Sequence, residues 1–88
     1  MSMIQGDPNE MRNVAGMLMS CASNLKGCAD QVQGSFSAAG SWQDPNRARC
    51  EEAAGGNAAG IRSYAESIEQ LSGQIQALAQ RYEDLMKG

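Results

Sequence analysis

Residues 39–45 read Ala39-Gly40-Ser41-Trp42-Gln43-Asp44-Pro45, and this stretch decides the fold. Gly40 can end a helix arriving from the N-terminal side. Asp44 then Pro45 is a helix start: the carboxylate accepts from first-turn N–H groups, and the fixed φ of proline suits the first helical position. The turn between stop and start is roughly four or five residues, short enough to make the flanking helices antiparallel neighbours.

Toward the N-terminus an apolar or small residue recurs at alternating steps of three and four: Met11, Val14, Leu18, Cys21, Leu25, Cys28, Val32, Ser35 and Ala39. This is a heptad-like stripe in which only Ser35 is clearly polar. Ala15, Ala22, Ala29 and Phe36 widen it. Asp7-Pro8-Asn9-Glu10 supplies the start signal, with a capping aspartate, a first-position proline and a glutamate three residues on. Toward the C-terminus the second stripe is Ile61, Tyr64, Ile68, Leu71, Ile75, Leu78, Tyr82 and Leu85, extended backward through Asn57, Ala54 and Cys50. Gly55, Gly56 and Gly60 lie in that earlier part, each costing up to about 1 kcal/mol of helix propensity. They read as a close helix approach or local bend, with a hinge or partner groove as the alternative. No alternating apolar run or Asn-Gly turn suggests a strand.

The expected fold is all-α, a single domain over 1–88. It is an antiparallel two-helix hairpin with a helix over about 8–38, a turn over about 39–44 and a helix over about 45–86. Position i should face roughly 84 − i across the hairpin. At 88 residues and 5% aromatics, such a chain has few large core anchors. A small chain of this kind needs a second hairpin to bury enough apolar surface, which predicts a dimer forming a four-helix bundle. Leu18, Leu25, Val32, Ile61, Ile68, Leu71, Ile75 and Leu78 should carry that interface. The stripes accept a homodimer or a heterodimer with another helical hairpin.

The net charge is −3, and the seven basic residues form no cluster longer than Arg47 and Arg49. That argues against nucleic acid, which needs a basic face, and against capture by an anionic membrane surface. No apolar run approaches the roughly 20 residues of a membrane span. The N-terminus, Met-Ser-Met-Ile-Gln-Gly-Asp-Pro, has neither the basic nor the long apolar segment of a secretory signal. The expected location is cytoplasmic, or outside by a route that reads no N-terminal signal.

Catalysis is not expected. The chain has no histidine, which removes Ser-His-Asp and Cys-His nucleophile arrangements. Cys21, Cys28 and Cys50 lack the Cys-x-x-Cys spacing of a zinc site, and no cofactor motif is present. Cys21 and Cys28 lie two helical turns apart, roughly 10 Å, and cannot bridge within one helix. All three read as small buried residues, with an intermolecular bond as the alternative. Glu51-Glu52 and Glu83-Asp84 are adjacent pairs whose side chains diverge by about 100°, as solvated charges rather than an acid/base pair. Arg47 with Glu51, and Arg62 with Glu66, read as i,i+4 surface pairs.

Trp42 is the single tryptophan and sits in the turn. It reads as a lid that satisfies its N–H locally, as a recognition knob, or as both. Ser41-Trp42-Gln43-Asp44 in mid-chain, between two helices in about 90 residues, resembles the WXG100 (ESAT-6-like) family of type VII secretion proteins. The resemblance covers the whole chain in length, architecture and tryptophan position; its local motif is short. It implies a non-enzymatic helix–turn–helix protein exported as a dimer or with a partner. Its partners would be type VII secretion machinery or the helical targeting domain of a larger toxin, and Trp42 and Asp44 would be recognition residues at the turn. Two departures matter. Asp44 stands where the family has glycine, a position where aspartate caps the second helix. The Tyr-x-x-x-Asp/Glu tail of many exported members is absent: Tyr82 is followed by Met86, Tyr64 by Ile68, and the chain ends at Gly88. Export would then draw its signal from a partner chain. Two alternatives follow: an intracellular adaptor for a toxin targeting domain, and an unrelated coiled-coil scaffold.

Overall fold

The computed structural model of the chain describes residues 6–87. The reading of residues 1–5 as lacking a signal segment lies outside the described residues. Two helices form as the capping signals direct. α1 spans Pro8–Gly34, and Asp7 Oδ1 accepts from Asn9 N–H at 2.9 Å. α2 spans Pro45–Lys87, and Asp44 Oδ1 accepts from Asn46 and Arg47 N–H at 2.9 and 3.1 Å. They pack side by side as a hairpin measuring 67 × 19 × 14 Å. Its radius of gyration is 20.0 Å, where a compact globule of this length would have about 12 Å.

The first helix is shorter than the 8–38 expected. After Gly34 the chain tightens into a 3-10 segment, Ser35–Ala38. Ser35 Oγ donates to the Val32 carbonyl at 2.7 Å, a local bond that competes with helix continuation. Gly40 does not act as a left-handed cap, since no described residue has positive φ. Through Gly55, Gly56 and Gly60, α2 runs without interruption. Those glycines do not mark a close helix approach: a Cβ built on any of them would meet nothing within 4 Å.

Alanine makes the seam between the helices. Ala15, Ala22 and Ala29 on α1, and Ala58, Ala65, Ser72 and Ala79 on α2, are fully buried. Each set repeats every seven residues, one position C-terminal to the stripe row Val14, Cys21, Cys28 or Asn57, Tyr64, Leu71, Leu78. Ser72 Oγ donates to the Ala15 carbonyl at 2.8 Å, which places residue i opposite about 87 − i. The same register sets Ala22 against Ala65, Ala29 against Ala58 and the buried Pro8 against Ala79. It is three residues from the expected 84 − i, because the turn is longer than the shortest loop that could close it. Alanine at each contact lets the axes approach toward the short end of the roughly 8–10 Å range.

On one side of this inner seam, charged pairs tie the helices. Arg12 pairs with Glu83, Lys26 with Glu69 at 2.9 Å, and Arg62 with Asp30 at 2.8 Å. Arg62 also donates to Gln33 Oε1 at 2.6 Å. Arg62 thus reaches across the hairpin rather than along its own helix to Glu66. These groups are part-exposed, so each pair contributes at most about 1 kcal/mol and mainly fixes register.

Candidate docking face and turn

On the other side of the seam lie two further rows from each helix. The middle rows are Met11, Leu18, Leu25 and Val32 on α1, and Ile61, Ile68, Ile75 and Tyr82 on α2; all are half-buried. The outer rows are Val14, Cys21, Cys28 and Ser35 on α1, and Cys50, Asn57, Tyr64, Leu71, Leu78 and Leu85 on α2; all are exposed. Tyr64 is 73% exposed and Leu85 62%. Of the eight residues expected to carry the interface, Leu18, Leu25, Val32, Ile61, Ile68 and Ile75 therefore line the middle of this face. Leu71 and Leu78 stand on its edge.

The three cysteines are not buried as expected. Cys21, Cys28 and Cys50 are free thiols exposed to solvent, all in the outer rows. The physical reason is the choice of seam. With alanine at every inner position, the helices close on their smallest residues, and the stripe positions just before them rotate outward.

The middle rows do not meet flush everywhere. Leu25, Val32, Gly56, Asn57, Gly60, Ile61, Ser63 and Tyr64 line an open groove of about 890 Å³. It forms where the α2 sequence turns small-sided, so the glycine run serves a groove rather than a helix crossing.

The turn is held by a compact polar cluster. The Trp42 ring stacks on Phe36, with centroids 6.0 Å apart and planes inclined by 26°. Its Nε1–H donates to Asp44 Oδ1 at 3.1 Å. Asp44 therefore caps α2 and receives the indole with one carboxylate oxygen. Trp42 is 37% exposed: it lids the open end of the hairpin and keeps part of its ring outward. Arg47, read from sequence as half of a surface pair with Glu51, does more than that. Its guanidinium donates to the carbonyls of Phe36, Ala39 and Trp42 at 2.8, 3.2 and 3.0 Å. The Phe36 and Ala39 carbonyls also accept the backbone N–H groups of Ala39 and Trp42, at 3.2 and 3.0 Å, so the guanidinium is a second donor to each. The Glu51 contact is looser, at 3.8 Å.

Sequence reasoning missed the role of Arg47, read Ala15, Ala22 and Ala29 only as widening the stripe, and did not see the matching row on α2. The signal for the rows was present, in alanines exactly seven apart on both helices with Ser72 completing the α2 series. For Arg47 it was weaker, an arginine three residues after a cap and within reach of the preceding turn.

Among the described residues no group of side chains could hold a metal ion, and no helix is long and apolar enough to cross a membrane. No family model, curated protein or solved structure matches the chain.

Proposed function

We propose that this chain is a non-catalytic interaction protein of the WXG100 type. It pairs face to face with a second helical hairpin into a four-helix bundle and leaves the cell by the type VII route. One observation carries the pairing, an apolar face whose outer rows are open to solvent, while the export route rests on the resemblance at the Trp42 turn. Val14, Tyr64, Leu71, Leu78 and Leu85 are each between about a third and three quarters exposed. Completing the burial of such side chains is worth on the order of 1 kcal/mol each, about half of the full-burial value. Two hairpins together then gain roughly 10 kcal/mol, comparable with the roughly 4–15 kcal/mol cost of association. The turn, with Trp42 partly outward, supports a second contact surface at one end.

Met86, where an acidic residue would stand four positions after Tyr82, favours a second reading, an intracellular adaptor for the targeting domain of a larger toxin. Immunoblotting culture supernatant and lysate of the native host, with and without the type VII ATPase, separates the two. ATPase-dependent appearance in the supernatant without lysis markers supports export. Strict retention in the lysate refutes it. Trp42→Ala separates both from an unrelated scaffold: loss of partner binding with the fold intact supports the recognition role, and loss of stability alone supports the lid.

A further inference from the structure

Resting on the reading of the turn as a second contact surface, we infer that Asp44 sets how a partner reads Trp42. The aspartate supplies the acceptor for the indole N–H from inside the turn. The partner therefore meets the tryptophan as a carbon ring and seats it in an apolar pocket with no hydrogen-bond acceptor of its own.

Three observations lead there. The first is that the indole N–H is already spent. It donates to Asp44 Oδ1 at 3.1 Å, and the same oxygen accepts from Asn46 and Arg47 N–H at 2.9 and 3.1 Å. A bond to a carboxylate is the stronger class. A neutral carbonyl or amide on the partner would have to displace it and would gain less.

The second is the pose of the ring. It stacks on Phe36 with centroids 6.0 Å apart, and Trp42 is 37% exposed. Of the roughly 250 Å² that a tryptophan can bury, about 90 Å² is therefore still open. At about 25 cal/mol per Å², covering that carbon surface is worth about fortyfold in affinity.

The third is what surrounds the ring. The Ala39 carbonyl accepts from Trp42 N–H at 3.0 Å and from Arg47 at 3.2 Å. The Gly40 carbonyl accepts from Gln43 Nε2 at 2.7 Å, and the Trp42 carbonyl from Arg47 at 3.0 Å. These neighbouring acceptors serve other donors, and Asp44 is the one that reaches the indole. A pocket that closes over the ring also shuts its N–H off from water. With Asp44 in place the donor stays satisfied. Without it the donor would be buried unpaired, a loss of roughly fivefold to 150-fold in affinity. Asp44 is thus a specificity-determining residue that acts through Trp42.

The test uses the full chain, affinity-tagged in its native host, with co-purifying proteins quantified by mass spectrometry and the fold of each variant read by circular dichroism. Trp42→Ala defines the turn's partner as the protein whose recovery falls while the helices stay intact. Asp44→Ser keeps a capping oxygen for α2, one bond nearer the backbone and short of the indole, which the NMR shift of the indole proton verifies. It should lower recovery of that partner about fivefold or more. Trp42→Phe, which has no N–H, should lower it by no more than about fivefold, the share of the second ring. Adding Asp44→Ser to Trp42→Phe should change it no further. That last result separates an aspartate acting through the indole N–H from one that only caps the helix or touches the partner directly, since either of those lowers recovery in both backgrounds. Full recovery with Asp44→Ser, a loss that persists in the Trp42→Phe chain, or Trp42→Phe as damaging as Trp42→Ala would each overturn the inference. If no protein depends on Trp42, the turn is not a contact and the inference falls. A helical partner recovered with every variant would then leave the pairing on the open face standing.

Discussion

Replacing Ala22 with leucine should destabilise the hairpin, while the same change at the next residue, Ser23, should not. Ala22 is fully buried and faces Ala65 in the inner seam. Leucine adds three carbon atoms where the helices touch. The axes must separate or the side chain must leave its rotamer well, a class of change costing roughly 1–3 kcal/mol. Ser23 is exposed on the outer surface of α1. Leucine there improves helix propensity slightly and should shift stability by no more than about 0.5 kcal/mol. At about 4–8 °C per kcal/mol for a domain of this size, the first variant should melt roughly 5–20 °C lower and the second within a few degrees of the parent. Far-UV circular dichroism followed with temperature, at one fixed protein concentration, reads both. Equal melting of the two variants, or an Ala22→Leu chain as stable as the parent, would put the seam somewhere other than the alanine rows.

Arg47→Lys should not preserve the turn, because a single ammonium cannot reach the three carbonyls the guanidinium fork serves; expect a loss of about 1–3 kcal/mol by thermal melting. Asp44→Ala should cost about 1 kcal/mol through the lost cap and also release the indole, read as a shift in Trp42 fluorescence. Ser72→Ala should be nearly neutral, within about 1 kcal/mol, since it removes a buried hydroxyl together with its need for a partner, leaves the Ala15 carbonyl bonded within its helix, and frees the amide of the exposed Gln76 to bond water. A larger loss there would mean the Ser72–Ala15 bond holds the register.

The hairpin itself was legible in the sequence. Asp7-Pro8 and Asp44-Pro45 start the two helices because capping is local chemistry, set by residues within one turn. Which face of each helix closes on the other was not legible from hydrophobicity. The widest stripe runs through Leu18, Cys21, Leu25 and Cys28, and ranking residues by size puts those at the contact. Packing selects by fit instead: two rows of alanine on the same repeat interlock more closely than leucine against isoleucine. The stripe is therefore split, half toward the seam and half outward. Arg47 was read as a surface pair because i,i+4 spacing is visible in sequence, whereas the carbonyls it serves exist only once the turn has formed.

The same split sets what the isolated hairpin can withstand. Its inner seam is six alanines and a serine. At about 0.8 kcal/mol per buried carbon, the six methyl groups supply roughly 5 kcal/mol, and the half-buried middle rows add a part of what leucine and isoleucine can give. Against this stands the conformational entropy lost in ordering two long helices. The larger side chains that would close the difference are the ones turned outward. Stability should then be linked to association, so that the folded state strengthens as concentration rises. For a dimer that unfolds as it dissociates, each tenfold rise in concentration adds about 1.4 kcal/mol. Spread over two chains of this length, that raises the melting midpoint by about 3–5 °C. A dilution series spanning two decades, read by circular dichroism, checks it. A midpoint that does not move would mean that the alanine seam alone holds the hairpin and that the open face is not needed for folding.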